Sequence, residues 1–176
     1  EGAKSITLPG ALAGWAKLLE AHGTITLAQA LAPAIELAEV GFPISEVTAN
    51  EWALFKGKLN WDLGARNTFL IDESRTPKVG EWFYNRDYAN TLKLIAEHGP
   101  EVMYGGELGN KIASRIQDLG GFLTESDFAN YNARWVEPIS VSFKDYQLWE
   151  LPPNGQGIAA LEMLKILEPY NLKDME

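Results

Sequence analysis

The sequence predicts an α+β fold, mainly helical, with one small antiparallel sheet element in its last third. Three observations carry that prediction. Helical periodicity with capping signals recurs across most of the first 130 or so residues. A stretch near residue 140 then alternates apolar and polar side chains with the strand period of two. Immediately after it, two prolines and two glycines in LPPNGQG (residues 151–157) give way to an amphipathic run, IAALEMLKIL. That junction is the main change of architecture in the chain.

The 176 residues suffice for one domain with a real core, since at this size about 70% of the unfolded chain's surface can be buried. A hydrophobic fraction of 46% and a charged fraction of 22% belong to an ordinary folded protein. The net charge of −9, with no Lys/Arg-rich run, argues against a nucleic-acid or anionic-membrane partner. Having no cysteine, the chain can form no disulfide, thiolate nucleophile or Cys-ligated zinc site. No run of 18 apolar residues is present, so no membrane span is predicted, and EGAKSITLPG has no apolar core of a signal peptide. Both ends read as cuts inside a longer chain.

In order, Leu12, Trp15, Leu18 and Leu19 share one face and predict a helix over 9–22, stopped by Gly23. Thr26 and Gln29 form a capping-box pattern that starts a second helix. Pro33 predicts a kink or a restart within it, and Gly41 its end. Ser45 caps a third helix running past Trp52 and Phe55. Residues 57–84 carry no clear period: Gly57, Gly64 and Gly80 punctuate, and residues 72–77 read as an exposed turn. A helix over 87–98 places Ala89, Leu92, Ile95 and Ala96 inward and ends at Gly99-Pro100. Another covers 107–119 and ends at Gly120-Gly121. Thr124 and Asp127 cap a short helix. Ile139, Val141 and Phe143 alternate with Ser140, Ser142 and Lys144, and a turn at Lys144-Asp145 leads to a strand carrying Tyr146, Leu148 and Leu151.

The chemistry-bearing residues assemble into no catalytic set. His22 and His98 each precede a helix-stopping glycine, where the helix C-terminus favours a protonated imidazole by roughly 0.3–1 kcal/mol. That account leaves no histidine for a Ser-His-Asp triad and none for a zinc helix. The carboxylates Asp72 and Glu73, Glu125 and Asp127, and Asp174 and Glu176 fall in polar turns or near the end, which suits solvated surface better than a glycosidase pair. Trp52, Trp61, Trp82, Phe83 and Tyr84 suit a core better than a ligand groove. Gly105-Gly106 and Gly120-Gly121 lack the preceding strand of a phosphate-cradling loop. Asn154-Gly155-Gln156-Gly157 comes nearest to an anion-binding corner, but its flanking strands read as antiparallel. No catalytic, substrate-binding or metal-ligating residue is nominated, and no cofactor.

Read together, three phrases resemble the large-subunit region of the γ-glutamyltranspeptidase family. They are LPGALAGWAKLLEAHGTITLAQALAPAIELAEVGFPIS (residues 8–45), YANTLKLIAEHGPEVMYGGELGNKIA (88–113) and GGFLTESDFANYNARWVEPISVSFKDYQLWELPPNGQGIAALEMLKILEPYNL (120–172). Each is weak alone; their order and spacing across nearly the whole chain make the resemblance specific. It implies an N-terminal-nucleophile hydrolase with a four-layer αββα sandwich, in which residues 1–176 are a single domain, the C-terminal part of the large-subunit region. It further implies a self-cleaving precursor whose new N-terminal Thr attacks a γ-glutamyl amide, activated by its own α-amine. The glutamyl group then passes to water or an amine.

That Thr, the residues that bind the glutamyl group, and the family's carboxylate-binding arginine have no counterpart here; neither Arg75 nor Arg134 stands in the arginine's place. The partner implied is the rest of the same precursor, and the chain alone is expected to be inactive. Two departures, Asn154-Gly155-Gln156 and Trp135, resemble the branch of transpeptidase-like proteins and cephalosporin acylases. The alternatives are therefore a glutaryl-type acylase and a non-catalytic helical interaction domain. A piece of such a protein is also expected to expose apolar surface along residues 139–151.

Overall fold

The computed structural model describes residues 2–172, so Asp174 and Glu176 lie outside the described residues. The chain falls into two compact units, Glu1–Asn132 and Ala133–Glu176. Among its described residues the first holds seven α-helices, α1 (Ala11–His22), α2 (Leu27–Val40), α3 (Glu46–Leu59), α4 (Leu63–Phe69), α5 (Arg86–His98), α6 (Glu107–Asp118) and α7 (Glu125–Ala129). It also holds two two-residue strands, β1 (Phe42–Pro43) and β2 (Trp82–Phe83), paired antiparallel. The second unit is an antiparallel hairpin, β3 (Ile139–Phe143) and β4 (Tyr146–Glu150), followed by α8 (Gly157–Leu167). No described helix is long and apolar enough to cross a membrane.

The capping signals act where the sequence places them. Thr26 Oγ1 accepts from Gln29 N–H at 3.1 Å while Gln29 Oε1 accepts from Thr26 N–H at 2.8 Å, closing the capping box of α2. Ser45 caps α3, and Thr124 with Asp127 closes a second box at α7. Gly41 ends α2 at φ 96°, where a side chain is strained, and a Cβ there would stand 2.9 Å from the Phe83 carbonyl oxygen. Glycine is required at this position on both counts.

Three expectations are corrected. Pro33 neither restarts nor divides its helix: α2 runs unbroken through it. Pro33 faces solvent, so water can satisfy the carbonyl it orphans, while Leu31 and Ala38 bury the opposite face. Gly57 and Gly64 do not punctuate, because they lie inside α3 and α4. α4 forms from the weak sequence LGARNTF because Asp62 caps it, its Oδ1 accepting from Ala65 N–H at 2.8 Å.

The core of the first unit sits between α2 and α5, where Leu12, Leu31, Leu92 and Ile95 form one buried cluster. Asn85 N–H donates to the Ala38 carbonyl at 2.8 Å, and Lys93 pairs with Glu39 at 2.6 Å, so the α2–α5 seam is also fastened at its edges. Ala113 and Phe128 are fully buried where α6 meets α7. In the second unit, α8 lies on the hairpin through Leu161, its only buried hydrophobic side chain among the described residues. Tyr146, Trp149 and Leu151 stand exposed on the strand side, the apolar surface expected there.

Candidate functional site

The proline–glycine junction is a corner, not a cradle. β4 ends at Glu150, and α8 starts six residues after Leu151, at Gly157. Gln156 is the helix N-cap, but its side chain caps nothing; its carbonyl accepts from Ala159 N–H at 3.0 Å and Ala160 N–H at 3.3 Å. A Cβ on Gly157 would lie 2.8 Å from Glu150 Cβ and 2.9 Å from the Leu151 carbonyl oxygen, so the helix start is pressed onto the strand end. The strands before it pair antiparallel, unlike the parallel unit in which a dinucleotide-binding loop sits.

Both histidines end helices as the sequence predicts. His22 closes α1, and His98 closes α5 with its Nε2 3.9 Å from the Glu97 carboxylate, exposed to solvent. The carboxylates disperse. Asp72 and Glu73 form a left-handed turn at φ 48° and 54°, Glu73 lying 3.8 Å from Arg66. Glu125 stands in the first turn of α7, and Asp127 is spent on capping. Asp127 accepts from Thr124 N–H at 2.7 Å and from its hydroxyl at 2.8 Å; the first of these bonds does most to hold its carboxyl below the usual range.

The five aromatics separate into two groups. Trp52 and Phe83 pack edge to face with centroids 5.0 Å apart, joined by Phe69 and Phe42. This cluster ties α3 and α4 to the β1–β2 ladder. Trp61, Trp82 and Tyr84 are exposed instead, Tyr84 lying under the Arg86 guanidinium at 5.3 Å.

Two polar centres escape a sequence reading. Arg75 grips Glu81 with two bonds of 2.8 and 2.7 Å, and Lys78 N–H adds a third at 2.9 Å. The Arg75 bonds first, and the Lys78 bond second, lower the Glu81 carboxyl from 4.5 to about 2. Arg75 is thus occupied inside this unit, and Glu81 is not available as an acid or base near neutral pH. The second centre is Tyr104, whose hydroxyl donates to the Pro9 carbonyl at 2.7 Å and accepts from Ala13 N–H at 3.1 Å. It caps α1, whose N-cap Gly10 has no side chain to do so. Burial, above all, pushes the Tyr104 phenol up. Beside it opens a cleft of about 420 Å³ rimmed by Lys17, Glu20, Glu101, Tyr131 and Asn132. The signal for Tyr104 is 91 residues removed from Ala13, beyond any local pattern.

Among the described residues, no charged or polar residue is buried, and no group of three or more His, Asp or Glu is placed to hold a metal. The perturbed groups are engaged locally: Glu81 by Arg75 and Lys78 N–H, Asp127 by Thr124, Tyr104 by Ala13 N–H and the Pro9 carbonyl, and Glu107 by the Lys111 side chain one turn on. What the arrangement does chemically is hold helices and turns in place.

The gamma-glutamyltranspeptidase family model matches residues 1–176. The chain is 38% identical over 172 residues to the acylase ACY 1 proenzyme of Pseudomonas sp. (strain SE83), covering 97% of this chain and 31% of that protein. It is 35% identical over 173 residues to the glutathione hydrolase proenzyme of Bacillus subtilis (strain 168), covering 98% and 29%. It thus spans about a third of the length of these curated relatives. Its structure matches the Helicobacter pylori gamma-glutamyltranspeptidase at a TM-score of 0.88 and 27% identity, over 100% of this chain and 51% of that one. The cephalosporin acylase from Bacillus halodurans matches at 0.83 and 39%, over 94% and 32%. With the family model covering every residue, the chain belongs to the gamma-glutamyltranspeptidase family.

Proposed function

We propose that this chain is the C-terminal part of the large-subunit region of an N-terminal-nucleophile amidase, and that it frames the active site without supplying its reacting groups. The reaction is hydrolysis or transfer of a γ-glutamyl group by an N-terminal Thr lying outside these residues, with the Thr α-amine as base. Such a nucleophile needs no histidine, which suits a chain whose two histidines both serve helix ends. One observation carries the reading: the family match runs over residues 1–176, yet the chain spans only about a third of the length of its curated relatives. The partner is the rest of the same precursor. The purified 176-residue chain is expected to release no product from a γ-glutamyl anilide; release above the blank would overturn the proposal.

A second reading keeps the mechanism and changes the acyl group to a glutaryl-type side chain. It is favoured by the acylase relatives and by Asn154-Gly155-Gln156 and Trp135. The complete protein containing this chain, assayed on a γ-glutamyl and a glutaryl anilide side by side, separates the two: the substrate with the higher kcat/KM identifies the acyl group.

A further inference from the structure

Asn154-Gly155 is the only Asn-Gly pair in the sequence, and the corner that holds it is packed very unevenly. At Gly157 the backbone is crowded against Glu150 and Leu151. At Gly155, two residues earlier, a Cβ would meet nothing within 4 Å. Asn154 and Gly155 are both exposed. Neither the Asn154 side chain nor the Gly155 N–H takes part in a hydrogen bond among the described residues. The chemistry this exposes is intramolecular. A backbone amide nitrogen followed by no side chain can reach the preceding Asn carboxamide, provided neither partner is held away by a hydrogen bond or shielded by neighbours.

We propose that Asn154 is a deamidation site of this protein and that its conversion loosens the start of α8. The Gly155 nitrogen attacks Asn154 Cγ, forming the C–N bond of a succinimide. The Cγ–Nδ2 bond breaks, and the leaving nitrogen takes up the Gly155 amide proton and departs as ammonia. Water then adds to one imide carbonyl and opens the ring. Opening at one carbonyl gives Asp; opening at the other gives isoaspartate, with an added methylene in the main chain. Either product adds one negative charge to a net charge of −9. The Asp product sits ahead of a helix N-terminus that no side chain caps, a position where a carboxylate is tolerated. The isoaspartate product is the disruptive one. Its longer backbone shifts Gly157, whose missing Cβ is what lets the chain lie against Glu150 and Leu151. The remaining asparagines lack this combination: Asn85 accepts from Tyr88 N–H at 2.9 Å, for example, and Asn130 donates to the Ser126 carbonyl at 2.8 Å.

The test incubates the intact 176-residue chain at mildly alkaline pH and follows each asparagine by peptide mass spectrometry, with an isoaspartyl methyltransferase as a second label. Asn154 should convert before every other asparagine, with methyl label confined to its peptide. Asn154→Gln should abolish both signals. Gly155→Ala, which places its Cβ in open space at an unstrained φ, should slow conversion to the background of the other asparagines. Hydrogen exchange on the isoaspartate fraction should show faster exchange in the first turn of α8 than in the unconverted chain. Persistence of the Asn154 amide while others convert, or an unchanged rate in Gly155→Ala, overturns the site. Unchanged exchange in α8 overturns the loosening.

Discussion

The two units of the chain stabilise themselves by different means. The first buries Leu12, Leu31, Ala89, Leu92, Ala113, Phe128 and others nearly completely, and it repeats helix caps at almost every start. Among the described residues the second buries Leu161 alone, while Tyr146 is 79% exposed and Trp149 56%. A two-stranded hairpin is marginal in water without a third strand or a well-packed helix, and here one helix side chain provides the burial. The difference teaches where cooperativity resides. A region with a buried core responds to a mutation as a whole, whereas a region with one anchoring side chain opens when that side chain is lost.

The sharpest way to break this contrast is through the two anchors themselves. Phe128→Ala empties a fully buried aromatic site between α6 and α7 and should cost about 3–5 kcal/mol in urea unfolding of the first unit. A loss under about 1 kcal/mol would mean that α7 does not share the unit's cooperativity. Leu161→Ala removes the anchor of the second unit and should cost about 2–3 kcal/mol, felt locally. Hydrogen exchange in β3, β4 and α8 should quicken while α2 and α5 keep their protection. Equal acceleration in α2 would show that the two units unfold together and would remove the distinction.

Tyr104→Phe tests a finer point within the first unit. The substitution keeps the ring against Tyr131, with centroids 5.4 Å apart, and deletes only the hydroxyl. It leaves Ala13 N–H and the Pro9 carbonyl without their partner, at a cost of about 1–2 kcal/mol. The loss should be concentrated in exchange at the start of α1. An effect spread evenly over the unit would mean that Tyr104 acts through packing alone.

The contrast was only partly legible in sequence. Elements whose determinants are close together could be read directly: the Thr26–Gln29 and Thr124–Asp127 boxes, the α5 face of Ala89, Leu92 and Ile95, and the 139–150 alternation. Elements fixed from a distance could not. β1 and β2 are two residues each, too short to show a period, and they pair Phe42 with Phe83 and Pro43 with Trp82, far apart in sequence. The continuity of α2 through Pro33 depends on packing by α5, which the local sequence does not contain. The Tyr104 cap has the same character. The helix-ending places of His22 and His98 were legible because each lies directly before a glycine that stops its helix. The Arg75–Glu81 grip was not, since two oppositely charged residues flanking an irregular stretch have no periodic signature.

That grip yields the smallest and most specific prediction. Glu81 has a carboxyl lowered to about 2 in the folded chain against 4.5 ordinarily, because the Arg75 guanidinium and Lys78 N–H bind its charged form. A group depressed on folding contributes stability that is present above its unfolded pKa and is lost as pH falls through its folded one. The contribution should therefore be intact above about pH 4.5, decline below it, and vanish once pH passes below about 2. The Glu81 carbonyl accepts from Ile44 N–H at 2.9 Å, and Gly80 N–H donates to the Ile44 carbonyl at 2.8 Å. Exchange of those two amides is the readout: it should accelerate across that acid window. Glu81→Gln should raise their exchange at neutral pH and flatten its dependence on acid. The Leu92 and Ile95 amides, in the α2–α5 core, should stay protected throughout. Loss of protection in that core at the same pH would mean that acid acts on the whole unit and that the turn has no separate latch.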